Sequence, residues 1–432
     1  MTSYGAFFGW SSPSLPLLLQ EDSPIRMTKD QATWVSSVFL LGGAMGALIC
    51  SYIVNILGRK RVLLFTVIPA LLGWMIIAFA TSVWQLIIGR FICGISNGHG
   101  YVSAHMYIGE ISPANIRGIL TSALTVASKF GLFTEWVVGP FLSVRDLALV
   151  SCTLPILFFA ALIWFPESPY HLMRHGKHDE AVTVLVQLRG TVDVSKEVDT
   201  IEKYIKIDLA NNNGLWELLS VSGNRKALLV VLGLLVVQQW SGSLAILSYA
   251  ELIFNSANSE FEGKYVTMIV GGVQVICAVM SATLGDRFER RTLLMISAFG
   301  VSVSTFLVGL FFFLRNVQEN VDNITWLPAV ALLLYIIVYA IGLAAIPFTM
   351  MSEVFPTNVK AMGSMIGMLC TNLCAFIVAL TYQSIASHGE YVAFWLFSAV
   401  GIAGVLFIYC YVPETRGKTL QEIQDQLHGY KL

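Results

Sequence analysis

Gly285-Asp286-Arg287-Phe288-Glu289-Arg290-Arg291 is a knot of charge between two long, mostly apolar runs, and its reading decides the fold. A second basic turn, Asn55-Ile56-Leu57-Gly58-Arg59-Lys60-Arg61, lies 231 residues earlier between two more such runs, with Asn55 where Asp286 stands. Glu110 is followed seven residues on by Arg117, and Glu353 seven residues on by Lys360, with an offset of 243 between the pairs. Pro166-Glu167-Ser168 returns as Pro413-Glu414-Thr415, offset by 247. Charged motifs that recur in one order at the edges of apolar runs predict a duplicated membrane unit whose halves run the same way through the bilayer.

Composition agrees with that reading. Only 12% of the 432 residues are charged and 56% are hydrophobic, whereas a soluble chain carries about 25% charged residues. Apolar stretches long enough to cross a bilayer can be drawn at 1–19, 32–54, 62–81, 84–107, 119–142, 147–165, 226–254, 265–284, 292–314, 327–350, 361–385 and 391–412. The expected fold is an all-α membrane protein of twelve transmembrane helices in two six-helix pseudo-symmetric bundles, 1–165 and 226–412. A small helical linker over 166–225 joins them, with helices near 178–189 and 195–210, and a tail follows at 413–432. The first stretch has no basic start of the kind a cleavable signal peptide carries and reads as a span cut close to its beginning.

The charges are sorted by side rather than gathered on one face. With both termini inside, eleven Lys and Arg residues fall on inner loops and the tail (Arg59, Lys60, Arg61, Arg117, Arg287, Arg290, Arg291, Lys360, Arg416, Lys418 and Lys431). Six (Arg26, Lys29, Arg90, Arg145, Lys264 and Arg315) fall on outer loops and rims. The positive-inside rule then places the motif loops, the linker and both termini in the cytoplasm, and the expected address is the plasma membrane. All seven cysteines fall within apolar spans, which implies no disulfide framework.

Polar residues inside the spans mark the functional interior. Lys129 sits near the middle of the fifth span, where a cation must face a polar cavity or a partner. Glu135, six residues on, points about 120° away and is expected to snorkel outward. The fourth span carries Gly89, Gly94, Gly98 and Gly100, small residues that let helices approach closely. The seventh carries adjacent amides, Gln238 and Gln239, ahead of Trp240-Ser241-Gly242; the eighth carries Gln274, and the eleventh Thr371 and Asn372. Gly342, Pro347 and Phe348 predict a bend in the tenth.

No nucleophile–base pair, metal-ligand spacing or phosphate loop appears, so an enzyme, a metal site and a bound cofactor are not expected. His99 and His105 read as hydrogen-bonded helix residues, and nothing suggests nucleic acid as a partner. The charged motifs suit a switch, because partly exposed pairs worth about a kcal/mol or less each bias a two-state equilibrium without freezing it. Arg59, Lys60, Glu110, Arg117, Glu167, Asp286, Arg287, Arg290, Arg291, Glu353, Lys360 and Glu414 are therefore expected to latch the two halves at their inner rim. Their plainer role is to set topology.

These motifs resemble the sugar-porter family of the major facilitator superfamily, and within it the insect trehalose-transporter-like proteins. The likeness rests on Gly89-Arg90, Tyr107-Ile-Gly-Glu110 leading to Arg117-Gly118, Pro166-Glu-Ser-Pro169 and Gln238-Gln-Trp-Ser-Gly242. It continues through Asp286-Arg-Phe-Glu-Arg-Arg291, Glu353-Val-Phe-Pro356 and Pro413-Glu-Thr-Arg-Gly-Lys418, with Gly9-Trp10-Ser-Ser-Pro13 pointing to the insect group. The resemblance implies a facilitative carrier, transporting its sugar across the lipid bilayer by alternating access and working as a monomer. It implies a central site in which Gln238, Gln239, Tyr249 and Gln274 keep the family's pocket-lining pattern. Several positions depart from it. Lys129 stands where glutamine or asparagine is usual, Leu244 where asparagine is, Phe348 where tryptophan is, Thr371-Asn372 for an Asn-Trp pair, and His105 for proline. Ser11 occupies the position that carries the coupling aspartate in the family's symporters. A neutral sugar, trehalose or a hexose, is the default cargo; a non-transporting sensor, or a carrier of an anionic or proton-coupled solute through Lys129, are the alternatives.

Overall fold

Several helices begin where the sequence supplies a side-chain partner for their free amide groups. Thr28 and Gln31 form a reciprocal capping box at the head of the second span, with the Thr28 amide donating to Gln31 Oε1 at 2.9 Å, and Ser82 with Gln85 repeats it at the fourth. The basic turn between the second and third spans hinges on Gly58 at φ 97°, a left-handed conformation that a side chain would strain. The computed structural model describes residues 1–432 except 114–115, 192, 211–213, 257–261, 285–287, 318–321, 357–358, 417, 419–421 and 423–432. Asp286, Arg287 and Lys431 therefore lie outside the described residues.

The described helices fall into twelve spans. In the first half these are Thr2–Gly9 with Ser11–Leu18, Lys29–Leu57, Arg59–Phe65 with Val67–Ala78, Val83–Ile111, Arg117–Val138, and Val144–Ser151 with Thr153–Leu162. In the second half they are Ser222–Trp240 continued by Ser243–Ser248 and Ala250–Ser256, Gly263–Leu284, Arg290–Val317, Leu327–Ile341 with Ile346–Val354, Lys360–Ala386, and Glu390–Tyr411. Nine of the twelve are long and apolar enough to cross a membrane by themselves among the described residues. The first, fourth and fifth fall short of that measure. The first is two short helices meeting at Trp10, while Asn97, His99 and His105 in the fourth and Lys129 and Glu135 in the fifth lower the hydropathy of the others.

Between the halves, Pro169–Arg174, His178–Arg189, Ser195–Ala210 and Gly214–Ser220 form a helical linker. Its own small core gathers Leu172, Met173, Ala181, Leu185, Val194, Val198 and Ile205. Arg189 pins it to the first half by donating to the Ile111 carbonyl at 2.8 Å while pairing with Glu197 at 2.6 Å.

Small residues decide how closely the spans approach. A Cβ on Gly94 or Gly98 of the fourth span would run into the backbone of the second at Phe39 and Gly43, so the helices touch main chain to main chain. Two expectations need correction. Arg90, expected on the outer rim, is 1% exposed and holds the first, second and fourth spans together. It donates to the carbonyls of Phe7 at 2.6 Å and Val35 at 3.3 Å and to Ser11 Oγ at 3.0 Å, between the rings of Trp10 and Phe39. Glu135 does not snorkel: it is buried and accepts a hydrogen bond from Ser151 of the sixth span. Each polar group found partners on neighbouring helices, which a single span's sequence does not display.

Candidate functional site: a cavity between the two halves

The two halves meet along the second and eleventh spans and along the fifth and eighth. Between them lies a cavity of 1370 Å³. Its wall runs from Asn97, Lys129, Gln239, Gln274 and Asn372 in the span interiors down to Gly118, Ile119 and Arg290, which adjoin the basic turns. On the opposite side the halves close on each other. Ser36 and Tyr249 share a hydrogen bond across the halves at 2.8 Å and Ser12 Oγ accepts from the Glu251 amide at 3.3 Å, while Tyr249 stacks on Tyr382 of its own half at 5.2 Å. The cavity is thus open toward the motif loops and shut toward the other face.

The structure sorts the candidate ligands of this cavity. Gln238 reaches the wall, but its amide is already engaged. Nε2 donates to the Leu343 carbonyl at 2.6 Å and to that of Ala344 at 3.3 Å, and Oε1 accepts from Gln239 Nε2 at 3.1 Å. The reason lies in the tenth span, which breaks between Ile341 and Ile346, at the predicted bend, and leaves backbone carbonyls to be satisfied. Ser297 Oγ accepts the Leu343 amide at 3.0 Å from the other side of that break. Among the described residues Gln239 Oε1 and both amide atoms of Gln274 have no partner, each residue being 6% exposed. Lys129, Phe348, Thr371 and Asn372 also line the cavity. Thr371 and Asn372 bond back to the carbonyls of Gly367 and Met368, both at 2.9 Å. Tyr249 is the misplaced candidate: it sits in the closed face, where its hydroxyl joins the halves.

Sequence reasoning missed Asn97, whose Oδ1 has no partner among the described residues, and the lining residues Tyr335, Tyr339 and Ser243. Asn97 was legible as the one amide among the glycines of the fourth span. His105 lines the wall with Nδ1 against the Tyr101 carbonyl at 2.8 Å, the local bond expected of it.

The charged motifs form one constellation built twice. In the first half Arg59, 1% exposed, pairs with Glu110 at 2.9 Å, and Glu110 also accepts from Ser168. Glu167 caps the third span by accepting the Lys60 amide at 2.9 Å. In the second half Arg290 pairs with Glu353, and Glu414 caps the ninth span by accepting the amides of Arg290 at 3.2 Å and Arg291 at 3.0 Å. A carboxylate on a helix N-terminus meets both its free amides and the positive end of its dipole. These contacts differ from the expected latch in one respect: every one of them stays within one half and the linker or tail segment that directly follows it, and none joins the two halves. Lys60 Nζ donates to the Ile163 carbonyl at 2.9 Å, Arg117 to that of Ser112 at 3.3 Å, and the Arg291 guanidinium to that of Tyr409. The cavity separates the halves on this side, so the pairs available are those within each bundle.

His171, in the linker, completes the first cluster. Its Nδ1 lies 3.4 Å from Arg59 Nη1, and since a guanidinium only donates, that nitrogen accepts. Burial pushes the imidazole down to about 4, helped by His175, Arg59 and Arg61 against the opposing pull of Glu167.

Two parallel six-helix bundles around a central polar cavity that is open on one side only define a membrane carrier of the alternating-access class. The chain belongs to the sugar (and other) transporter family, whose model matches residues 4–427. It is 33% identical to the facilitated trehalose transporter Tret1 of Apis mellifera ligustica over 425 residues, 97% of this chain and 84% of that protein. It is 32% identical to the Tret1 of Anopheles gambiae, again over 97% of this chain but 54% of that longer protein. Among solved structures it is similar to the inward-open xylose transporter XylE from E. coli, with a TM-score of 0.80, 22% identity and 98% of each chain covered. The proton:xylose symporter XylE bound to 6-bromo-6-deoxy-D-glucose gives 0.79 at 23% identity, over 99% of this chain and 97% of that one. These two carry the major facilitator fold, and the chain is a multi-pass membrane transporter rather than an enzyme.

Proposed function

We propose that the protein is a facilitative sugar carrier of the plasma membrane, with both termini, the linker and the motif loops in the cytoplasm. Residues 1–165 and 226–412 are the two moving bodies, 166–225 the tether and 413–432 the tail. The observation that carries this reading is the cavity itself. It is closed on one face by contacts between the halves and lined deep inside by amides with unspent hydrogen-bonding atoms. Sugar hydroxyls donate and accept at once, so buried amides such as Gln239, Gln274 and Asn97 match them and lose most when left unpaired. The relatives named as trehalose transporters favour trehalose or a hexose as the cargo.

In this reading Phe348 and Tyr339 supply apolar faces for the ring of the sugar, and Gln238 holds the broken tenth span in shape beside it. Arg59, Lys60, Glu110, Arg117, Glu167, Arg290, Arg291, Glu353, Lys360 and Glu414, with Asp286 and Arg287, form the inner rim that closes when the cavity turns outward. Uptake of labelled glucose and trehalose by proteoliposomes holding the full chain tests the reading. It requires saturable flux that runs in either direction down a gradient. Absence of saturable flux for every sugar, from protein that remains monodisperse, would defeat it.

A further inference from the structure

We propose that the preferred cargo is a sugar acid, a polyhydroxylated monoanion whose carboxylate is met by Lys129. The proposal rests on the carrier reading and narrows its substrate class.

Lys129 lies twelve residues into the fifth span from Arg117, about 18 Å of helical rise, which places its ammonium deep in the bilayer's thickness. It lines the cavity, and among the described residues no hydrogen bond or ion pair engages it. A lysine kept for structure would have found a carboxylate or a carbonyl, as Arg59, Arg90 and Arg290 have done. The nearest acid along its own helix, Glu135, is turned away and bonded to Ser151. No Asp or Glu side chain belongs to the described lining. The other cationic side chain of the wall, Arg290, already faces Glu353. Among the described residues the wall therefore presents one uncompensated side-chain cation at its centre.

The neutral part of the wall says what must accompany the negative charge. Among the described residues Asn97 Oδ1, Gln239 Oε1 and both amide atoms of Gln274 are buried without partners, in residues at least nine-tenths inaccessible. Such groups call for hydroxyls. A simple carboxylate would leave them unsatisfied, and a neutral sugar would leave Lys129 so. A phosphorylated sugar brings about two charges near neutral pH, one more than the side chains supply. An aldonate or uronate satisfies both sets of groups at once.

The test uses the full chain in proteoliposomes, with labelled D-glucuronate, D-glucose and trehalose as probes and glucose 6-phosphate as competitor. Saturable glucuronate uptake is expected, accelerated by a potassium diffusion potential positive inside because the cargo carries net negative charge. A hydrogen bond to a charged group is worth about 1.5–3 kcal/mol. Lys129→Gln should therefore lower the ratio of glucuronate to glucose uptake efficiency about ten- to a hundredfold, and Lys129→Arg should restore part of it. The ratio is read within one preparation, so a variant that folds less well still reports.

Saturable glucose or trehalose uptake that glucuronate does not inhibit, with the ratio unmoved by Lys129→Gln, overturns the proposal and leaves the carrier reading standing. Stronger inhibition by glucose 6-phosphate than by glucuronate overturns the monoanion in favour of a phosphate. No saturable flux of any probe in parent or variants overturns both.

Discussion

Glu110→Gln and Glu353→Gln remove the same carboxylate from the two copies of one constellation, yet they should not cost the same. The Arg59 side chain is 2% exposed and that of Glu110 17%, whereas Arg290 is 15% exposed and Glu353 29%. Breaking a buried pair strands a charge that water cannot reach, at about 3–5 kcal/mol. A partly solvated pair is worth about a kcal/mol or less. Arg59 retains weak help, since its Nη1 lies 3.4 Å from both the Val54 carbonyl and His171 Nδ1, and glutamine keeps one acceptor in place. Glu110→Gln should therefore fall near the lower end of the buried range and still exceed Glu353→Gln by about 2 kcal/mol. Thermal unfolding of both variants in one detergent, followed by loss of the monodisperse peak, ranks them without requiring reversibility. An apparent Tm at least as low for Glu353→Gln as for Glu110→Gln would show that burial does not set the worth of these pairs.

Other perturbations test neighbouring parts of the argument. Tyr249→Phe deletes the hydroxyl that meets Ser36 across the closed face, and a bond worth about 1 kcal/mol should shift the population roughly fivefold toward the form open on that face. Labelling of a single cysteine introduced into the closed face would read that shift. Glu167→Ala and Glu414→Ala uncap the third and ninth spans and should each cost about 1 kcal/mol, seen as a lower apparent Tm. Gly94→Val places a branched side chain against the Phe39 backbone and should abolish recovery of monodisperse protein, whereas Gly109→Ala, in a helix with open space around it, should change the yield little. His171 binds its proton more weakly folded than unfolded, so the unfolded chain holds more protons between about pH 4 and 6.5. Stability should fall as pH drops through that window, and His171→Gln should flatten the dependence of Tm on pH.

The fold was legible because membrane helices are written in two plain signals, apolar length and charge at the ends, and because duplication wrote them twice. The bend in the tenth span and the helices of the linker could be read the same way, from Gly342 and Pro347 and from charged, amphipathic stretches. What could not be read was which partner each interior polar group would choose. Arg90 looked like a rim charge because its distance from the span's end was visible, while the carbonyls of Phe7 and Val35 that receive it belong to other helices. Gln238 looked like a sugar ligand because a mid-helix amide must do something. Its actual occupation, satisfying a break 105 residues away, depends on the bundle being assembled. Tyr249 shows the same limit from the other side, since facing the interior and facing the cavity are one property in sequence and two in space.

The doubled charge cluster gains a different meaning once its geometry is known. Arg59 and Arg290 each bond a glutamate at the end of the span that follows the next crossing, and Glu167 and Glu414 each bond the head of the helix those arginines begin. These bonds tie the third, fourth and sixth spans into one body, and the ninth, tenth and twelfth into another. Alternating access needs that rigidity before it needs a latch, because a half that deformed would lose the coupling between opening one face and closing the other. In the proposed carrier, the cations with looser engagements, Lys60 on the Ile163 carbonyl and Arg117 on that of Ser112, are the ones free to change partners when the cavity closes on the motif-loop side. Lys60→Ala and Arg117→Ala should therefore alter the balance between open states with little loss of stability. Replacing Arg59 should do the reverse.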